Sequence, residues 1–250
     1  MTSKKVLELK NISVAFDSNK VLSNLSLSIN NGEIIALIGP SGAGKTTLIN
    51  IVANIIQPDS GEMLIDGVPS ISINNRKEYA KKIGVIRQQF DLINQLPVIH
   101  NVLAGRLNQW GVLKSILSLI RPQEKYLAKN ALSRVGIIDK MFEKTANLSG
   151  GEQQRVALAR LLVQNPEIVL ADEPVSSLDP ARANSILSLL VDLVKEENQT
   201  LIVSLHSVEY LKKYFTRVIA MRDGKIYFDL PIDKVKEEDL KAVYDLEVTS

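Results

Sequence analysis

The segment that most constrains this chain is Gly39-Pro40-Ser41-Gly42-Ala43-Gly44-Lys45-Thr46, which fits G-x-x-x-x-G-K-[ST] at every fixed position. Before it, Ile34-Ile35-Ala36-Leu37-Ile38 is short and continuously apolar, as a strand covered on both faces of a parallel sheet must be. After it, a helix is expected from about residue 45 to 56, ended by Pro58, Ser60 and Gly61. Glycines let backbone N–H groups close around phosphate oxygens with no Cβ in the way. The helix adds the positive end of its dipole. Lys45 is expected to neutralise the β- and γ-phosphates of ATP, the Thr46 hydroxyl to bind Mg²⁺, and Thr47 to add a phosphate contact.

A second apolar run, Ile168-Val169-Leu170-Ala171, ends in Asp172-Glu173-Pro174. In open α/β sheets the chemistry sits at the carboxyl ends of strands. Asp172 is therefore expected to hold Mg²⁺, directly or through water, and Glu173 to polarise an attacking water as general base.

Around these two strands the chain alternates between types. Val6-Leu7-Glu8-Leu9 and residues 25–29 alternate with period two, and 62–65 is strand-like before the Asp66-Gly67 turn. Further strands are expected at 83–86, 201–204 and 218–221, with a hairpin closed by Arg222-Asp223-Gly224-Lys225. A helix over about 181–196 places Ile186, Leu189, Leu190, Leu193 and Val194 on one face. From about residue 90 to 162 the alternation fades and apolar residues recur at helical spacing, as in Leu113, Ile116, Leu117 and Ile120. An α/β core with a parallel sheet is expected, with a helical subdomain inserted over 91–162 and the core formed by 1–90 and 163–250.

Composition excludes several classes. There is no cysteine, so neither a disulfide nor a thiolate metal site is available. The net charge is +2 with no long Lys/Arg run, which does not indicate a nucleic-acid partner. No run approaches the ~20 apolar residues of a membrane span. Val112–Ile120 is short and holds Lys114, and residues 1–10 lack the apolar core of a secretion signal. A chain that is soluble alone, yet able to sit on a membrane protein, fits this composition.

Leu148-Ser149-Gly150-Gly151-Glu152-Gln153-Gln154-Arg155 follows the helical stretch. Physically it is a second anion cradle, with Ser149 and the N–H groups of Gly150 and Gly151 opening a helix. It is also a capping box between Ser149 and Glu152, and both roles are compatible. The segment resembles the signature of the ATP-binding cassette (ABC) family, and the resemblance covers residues 4 to about 245. It implies a P-loop NTPase (RecA-like) core with an antiparallel β subdomain and an inserted helical subdomain. It also implies a head-to-tail dimer in which Ser149, Gly150 and Gly151 of one subunit bind the γ-phosphate held by the other.

Further residues fall where the family has functional ones. Phe16 occupies the place of the aromatic that stacks on adenine, or else is a strand core residue. Gln88 matches the glutamine that senses Mg²⁺ and water, with the adjacent Gln89 as the alternative. Ser176-Ser177-Leu178-Asp179 resembles the loop that crosses the dimer interface, although Asp179 is equally placed to N-cap the helix after it. His206 lies where the family's switch histidine contacts the γ-phosphate, while His100 has no such support. Arg87 departs from the family, which commonly has an apolar or aromatic residue there.

Within the family, residues 101–120, 204–210 and 225–229 resemble the phosphonate-import ATPases. That resemblance implies a peripheral ATPase on the cytoplasmic face of the inner membrane. Its partners would be a second ATPase subunit, forming a homodimer, two permease subunits and, indirectly, a solute-binding protein. The alternatives are a cassette for lipoprotein release or cell division, or a non-transport ABC ATPase.

Overall fold

The computed structural model describes residues 4–17, 19–176 and 178–244. Ser177, in the expected interface loop, lies outside them.

The chain opens with two long antiparallel strands, β1 (Lys5–Phe16) and β2 (Asn19–Asn30). The Asn31-Gly32 turn leads into β3 (Ile34–Ile38), which is buried throughout. Ile34, Ala36 and Ile38 belong to one apolar cluster, and Ile35 and Leu37 to another. The strand is thus packed on both faces, as its unbroken apolar run demands. Helix α1 (Lys45–Val52) leaves the glycine loop and is shorter than expected. Asn54 turns left-handed (φ 57°), and the N–H groups of Ile55 and Ile56 reach back to the Asn50 carbonyl at 2.9 and 3.3 Å.

β4 (Ser60–Ile65) and β5 (Val68–Pro69) form a hairpin about Asp66-Gly67, whose φ values of 52° and 78° suit a tight turn with right-handed strand twist. Helix α2 (Arg76–Lys82), absent from the sequence reading, is capped by Asn75 and anchored by the Tyr79 hydroxyl, which donates to the Val52 carbonyl at 2.6 Å. β6 (Ile83–Ile86) follows.

The helical layer comprises α3 (Val98–Leu103), α4 (Val112–Ile120), α5 (Lys125–Arg134) and α6 (Gly150–Gln164). Val98, Val102, Leu132, Val156 and Leu158 from α3, α5 and α6 join the cluster that covers one sheet face. α4 behaves differently: its apolar residues point to solvent, with Leu113 85% and Ile120 82% exposed.

The chain then returns through β7 (Ile168–Asp172), α7 (Pro180–Glu196), β8 (Thr200–Ser204), α8 (Leu211–Tyr214), β9 (Arg217–Arg222), β10 (Lys225–Pro231) and α9 (Glu237–Tyr244). One sheet has the order β2-β1-β4-β5 and is antiparallel; the other has the order β10-β9-β3-β8-β7-β6. In the second sheet only β10 runs antiparallel to its neighbour. This is the α/β P-loop architecture with an antiparallel β layer and an inserted helical layer. Among the described residues no helix is long and apolar enough to cross a membrane.

Candidate active site

Parallel neighbours β3, β8, β7 and β6 bring four turns to one edge of the sheet. β3 delivers the glycine loop, β8 delivers Leu205-His206, β7 delivers Asp172-Glu173, and β6 delivers Arg87-Gln88. Residues scattered over more than half of the sequence therefore converge because sheet topology places their strands side by side.

The loop path is fixed by local packing. Gly39 has φ 146°, and a Cβ there would lie 2.1 Å from the Met221 carbonyl oxygen of β9. Gly39→Ala is therefore expected to cost about 2 kcal/mol or more through strain and overlap. The measurement is the thermal midpoint, which should fall by roughly 4–8 °C. Lys45 is only 5% exposed, and its Nζ donates to the Gly39 and Pro40 carbonyls at 2.7 and 3.1 Å. Burial draws its pKa below the usual lysine value, while the nearby Glu173 and Asp172 carboxylates oppose that shift.

The acidic pair is held by a buried serine. Ser204 Oγ donates to Asp172 Oδ1 at 2.7 Å and accepts from the Glu173 N–H at 2.8 Å. Thr46 Oγ1 donates to the same Asp172 oxygen at 3.3 Å. Glu173 takes a left-handed backbone (φ 49°), and its Oε1 lies 2.5 Å from His206 Nε2. On the other side, Gln88 Nε2 donates to Ser176 Oγ at 3.1 Å, and that hydroxyl donates to the Glu173 carbonyl at 3.2 Å.

Two adjoining concavities result. One, about 350 Å³, is lined by Val21, Ser41–Thr47 in sequence, Glu173 and His206. The other, about 390 Å³, includes Thr46, Gln88, Gln89 and Asp172. Thr46 belongs to both, so the hydroxyl stands between the phosphate loop and the acidic strand. A larger concavity, about 780 Å³, lies elsewhere, between the end of α1 and α2.

Other expected residues stay apart from this cluster. Neither concavity's lining includes Phe16, Ser149, Gly150, Gly151 or Asp179. Phe16 ends β1 with 45% of its surface exposed. Asp179 caps α7, its Oδ1 accepting from the Arg182 N–H at 3.0 Å. Ser149 and Glu152 form the complete capping box at the start of α6, with the Ser149 N–H donating to Glu152 Oε2 at 2.8 Å. His100 is partly buried, and burial lowers its pKa.

Sequence reasoning missed Ser204, Val21 and Tyr244. Ser204 had a signal, a hydroxyl closing an otherwise apolar strand. Val21 and Tyr244 had none, because chain-distant packing places them. The Tyr244 hydroxyl accepts from the Gly39 N–H at 3.3 Å.

Residues 22–176 match the profile of a family described as ABC transporter. The chain belongs to the ABC transporter family. It is an ABC ATPase, and the family binds ATP and ADP. A relative from Nostoc sp. (strain PCC 7120), "Phosphonates import ATP-binding protein PhnC 1", is 41% identical and covers 98% of this chain and 94% of its own. A protein of the same name from Pseudomonas syringae pv. tomato is 44% identical, covering 89% and 85%. Among solved structures, a dimeric bacterial ABC transporter cassette is 31% identical with a TM-score of 0.78, covering 90% of this chain and 98% of that one. A post-hydrolysis state of that cassette, bound to ADP and Pi, aligns with a TM-score of 0.77 at the same identity and coverage.

Proposed function

We propose that this ABC ATPase drives import of a phosphonate or related phosphorus oxyanion, working as one half of a head-to-tail pair. The observation that carries the pairing is the separation of two anion cradles. Lys45 and its loop form one; Ser149–Gly151 form another, outside the concavities around Lys45. A second copy, turned head to tail, would bring its Ser149, Gly150 and Gly151 to the γ-phosphate beside Lys45. The relatives named for phosphonate import, which align with nearly the whole chain, support the solute class. They do not favour lipoprotein release, cell division or a non-transport role.

Each site residue then has a chemical task. Gly39, Pro40, Ser41, Gly42, Ala43 and Gly44 shape the loop whose amides receive phosphate oxygens, with Thr47 beside them. Lys45 neutralises phosphate charge. Phe16 offers a ring for the adenine, and Asp179 stands in the loop facing the second copy. Glu173 accepts a proton from the attacking water, and His206, 2.5 Å from Glu173 Oε1, holds that carboxylate in place. Gln88 completes the site on the β6 side.

The donor chemistry suits Mg²⁺. Thr46, Asp172 and Gln88 line one concavity and supply hydroxyl, carboxylate and amide oxygens. When bound, the ion would offset phosphate charge.

The partners are part of the same proposal. We place the helical subdomain at residues 91–162 and the core at 1–90 and 163–250. Closure of the pair would move the helical subdomain and, with it, two permease subunits supplied with solute by a binding protein. The concavity of about 780 Å³ shares Ile55 and Val85 with the Gln88 concavity, so a permease segment seated there would touch the wall of the active site. On this reading the chain works at the cytoplasmic face of the membrane. The exposed apolar face of α4 suits such a contact. Leu113→Glu with Ile116→Glu is expected to lower transport at least tenfold while the ATPase rate of the isolated chain stays within about twofold. Co-purification with the permease reads the contact directly.

The solute reading is tested with the assembled transporter in proteoliposomes. Methylphosphonate-loaded binding protein should raise ATP turnover, and unloaded protein should not. No response to any phosphorus oxyanion, with response to another solute class, would remove the phosphonate assignment and leave the ATPase intact.

A further inference from the structure

The turn that carries Gln88 is held in an unusual backbone by a residue of another element. Phe90 (φ 56°) and Asp91 (φ 46°) are consecutive left-handed residues. Neither is a glycine, so the conformation is strained and needs outside support. Consecutive left-handed residues point their carbonyls the same way, as residues of any helix do. They thereby present a paired acceptor. Arg160, on α6, fills it: Nη1 donates to the Asp91 carbonyl at 2.8 Å and Nη2 to the Phe90 carbonyl at 2.7 Å. A planar guanidinium matches two parallel acceptors, whereas an ammonium does not.

The turn is closed on its other side as well. The Phe90 N–H donates to the Arg87 carbonyl at 3.0 Å, and the Arg87 guanidinium lies 3.3 Å from the Asp91 carboxylate. Arg87, the residue that departs from the family pattern, thus braces the loop from within.

Arg160 also sits at a tight point of the helical layer. A Cβ on Gly105 would lie 2.4 Å from the Arg160 carbonyl, so the segment after α3 is packed directly on α6 there. The same helix begins at the Ser149 capping box. Its Gln154 side chain donates to the Pro174 carbonyl, beside Glu173. One rigid helix therefore touches the signature, the loop after β7 and the Gln88 turn.

We propose that Arg160 is a positioning residue for Gln88, fixing its turn to α6 so that Gln88 and the signature of one chain move as a single body. The proposal rests on the reading of Gln88 as a site residue.

The test is a double-mutant cycle on the full chain, using steady-state ATPase kinetics of Gln88→Ala, Arg160→Lys and the double variant. Gln88→Ala should lower kcat about tenfold or more, and Arg160→Lys about fivefold with KM for ATP within twofold. In the Gln88→Ala background, Arg160→Lys should have no further effect. If the two losses multiply, Arg160 acts on folding or on another group and the proposal is overturned. An unchanged kcat in Arg160→Lys also overturns it. An unchanged kcat in Gln88→Ala removes the underlying role of Gln88 instead. Should the Lys variant fail to fold, Arg160→Gln, which can donate to one carbonyl, takes its place in the same cycle.

Discussion

Glu173→Gln is expected to lower ATP turnover by about 10²–10⁴-fold while ATP binding is retained. The amide keeps the shape of the carboxylate but cannot take a proton from water. The backbone environment should survive, because the Glu173 N–H bond to Ser204 Oγ (2.8 Å) involves no side-chain atom of Glu173. In the proposed cycle the closed pair reopens through hydrolysis, so the variant should accumulate as an ATP-bound dimer. Size-exclusion chromatography with and without Mg·ATP reads this directly. A variant that turns over ATP at the wild-type rate, or stays monomeric with ATP, would remove Glu173 from its assigned role.

Lys45→Ala is expected to weaken ATP binding by roughly 10–10³-fold, since each charge-assisted hydrogen bond contributes about 1.5–3 kcal/mol. Lys45 is buried and already poised on the loop by the Gly39 and Pro40 carbonyls at 2.7 and 3.1 Å. Its removal also frees those carbonyls, so a thermal-unfolding control must show that the variant is folded. Lys45→Arg should not restore affinity, because a guanidinium is larger and has a different donor geometry. A fluorescent ATP analogue measures the change; unchanged affinity in a folded variant would refute the phosphate-loop assignment.

Local pattern made the inner strands legible. β3 and β6 begin and end where the apolar runs do, because a strand covered on both faces has no polar residues to blur its limits. The turns at Asp66-Gly67 and Asp223-Gly224 were readable because left-handed pairs select these residues. The end of α1 was not legible, since it depends on Asn54 and on a return to the Asn50 carbonyl. α2 was missed because Lys and Glu dominate it, while Tyr79 fastens it through a distant carbonyl.

The site divides in the same way. Gly39–Thr46, Asp172 and Glu173 were visible as motifs on strand ends, and His206 and Gln88 through resemblance to a family. Ser204 and Arg160 were not read because each acts through atoms far along the chain: Asp172 in one case, and the carbonyls of Phe90 and Asp91 in the other. The solvent-facing side of α4 was also hidden, since helical spacing states that a stripe exists and not whether it is covered.

The central claim is that one ATP is gripped by two chains. Complementation between Lys45→Ala and Gly151→Asp tests it most directly. A Cβ on Gly151 meets nothing within 4 Å, and an acidic residue in the first turn of a helix is favourable, so that variant should fold. Its charge would repel a γ-phosphate. Each variant alone should be inactive. In a mixed pair, one site combines an intact phosphate loop with an intact signature from the other chain. Equal mixing leaves roughly half of the pairs mixed, each with one good site, so roughly a quarter of the wild-type ATPase rate should return. No recovery on mixing folded, pairing-competent variants, or full activity of Gly151→Asp alone, would contradict the shared site.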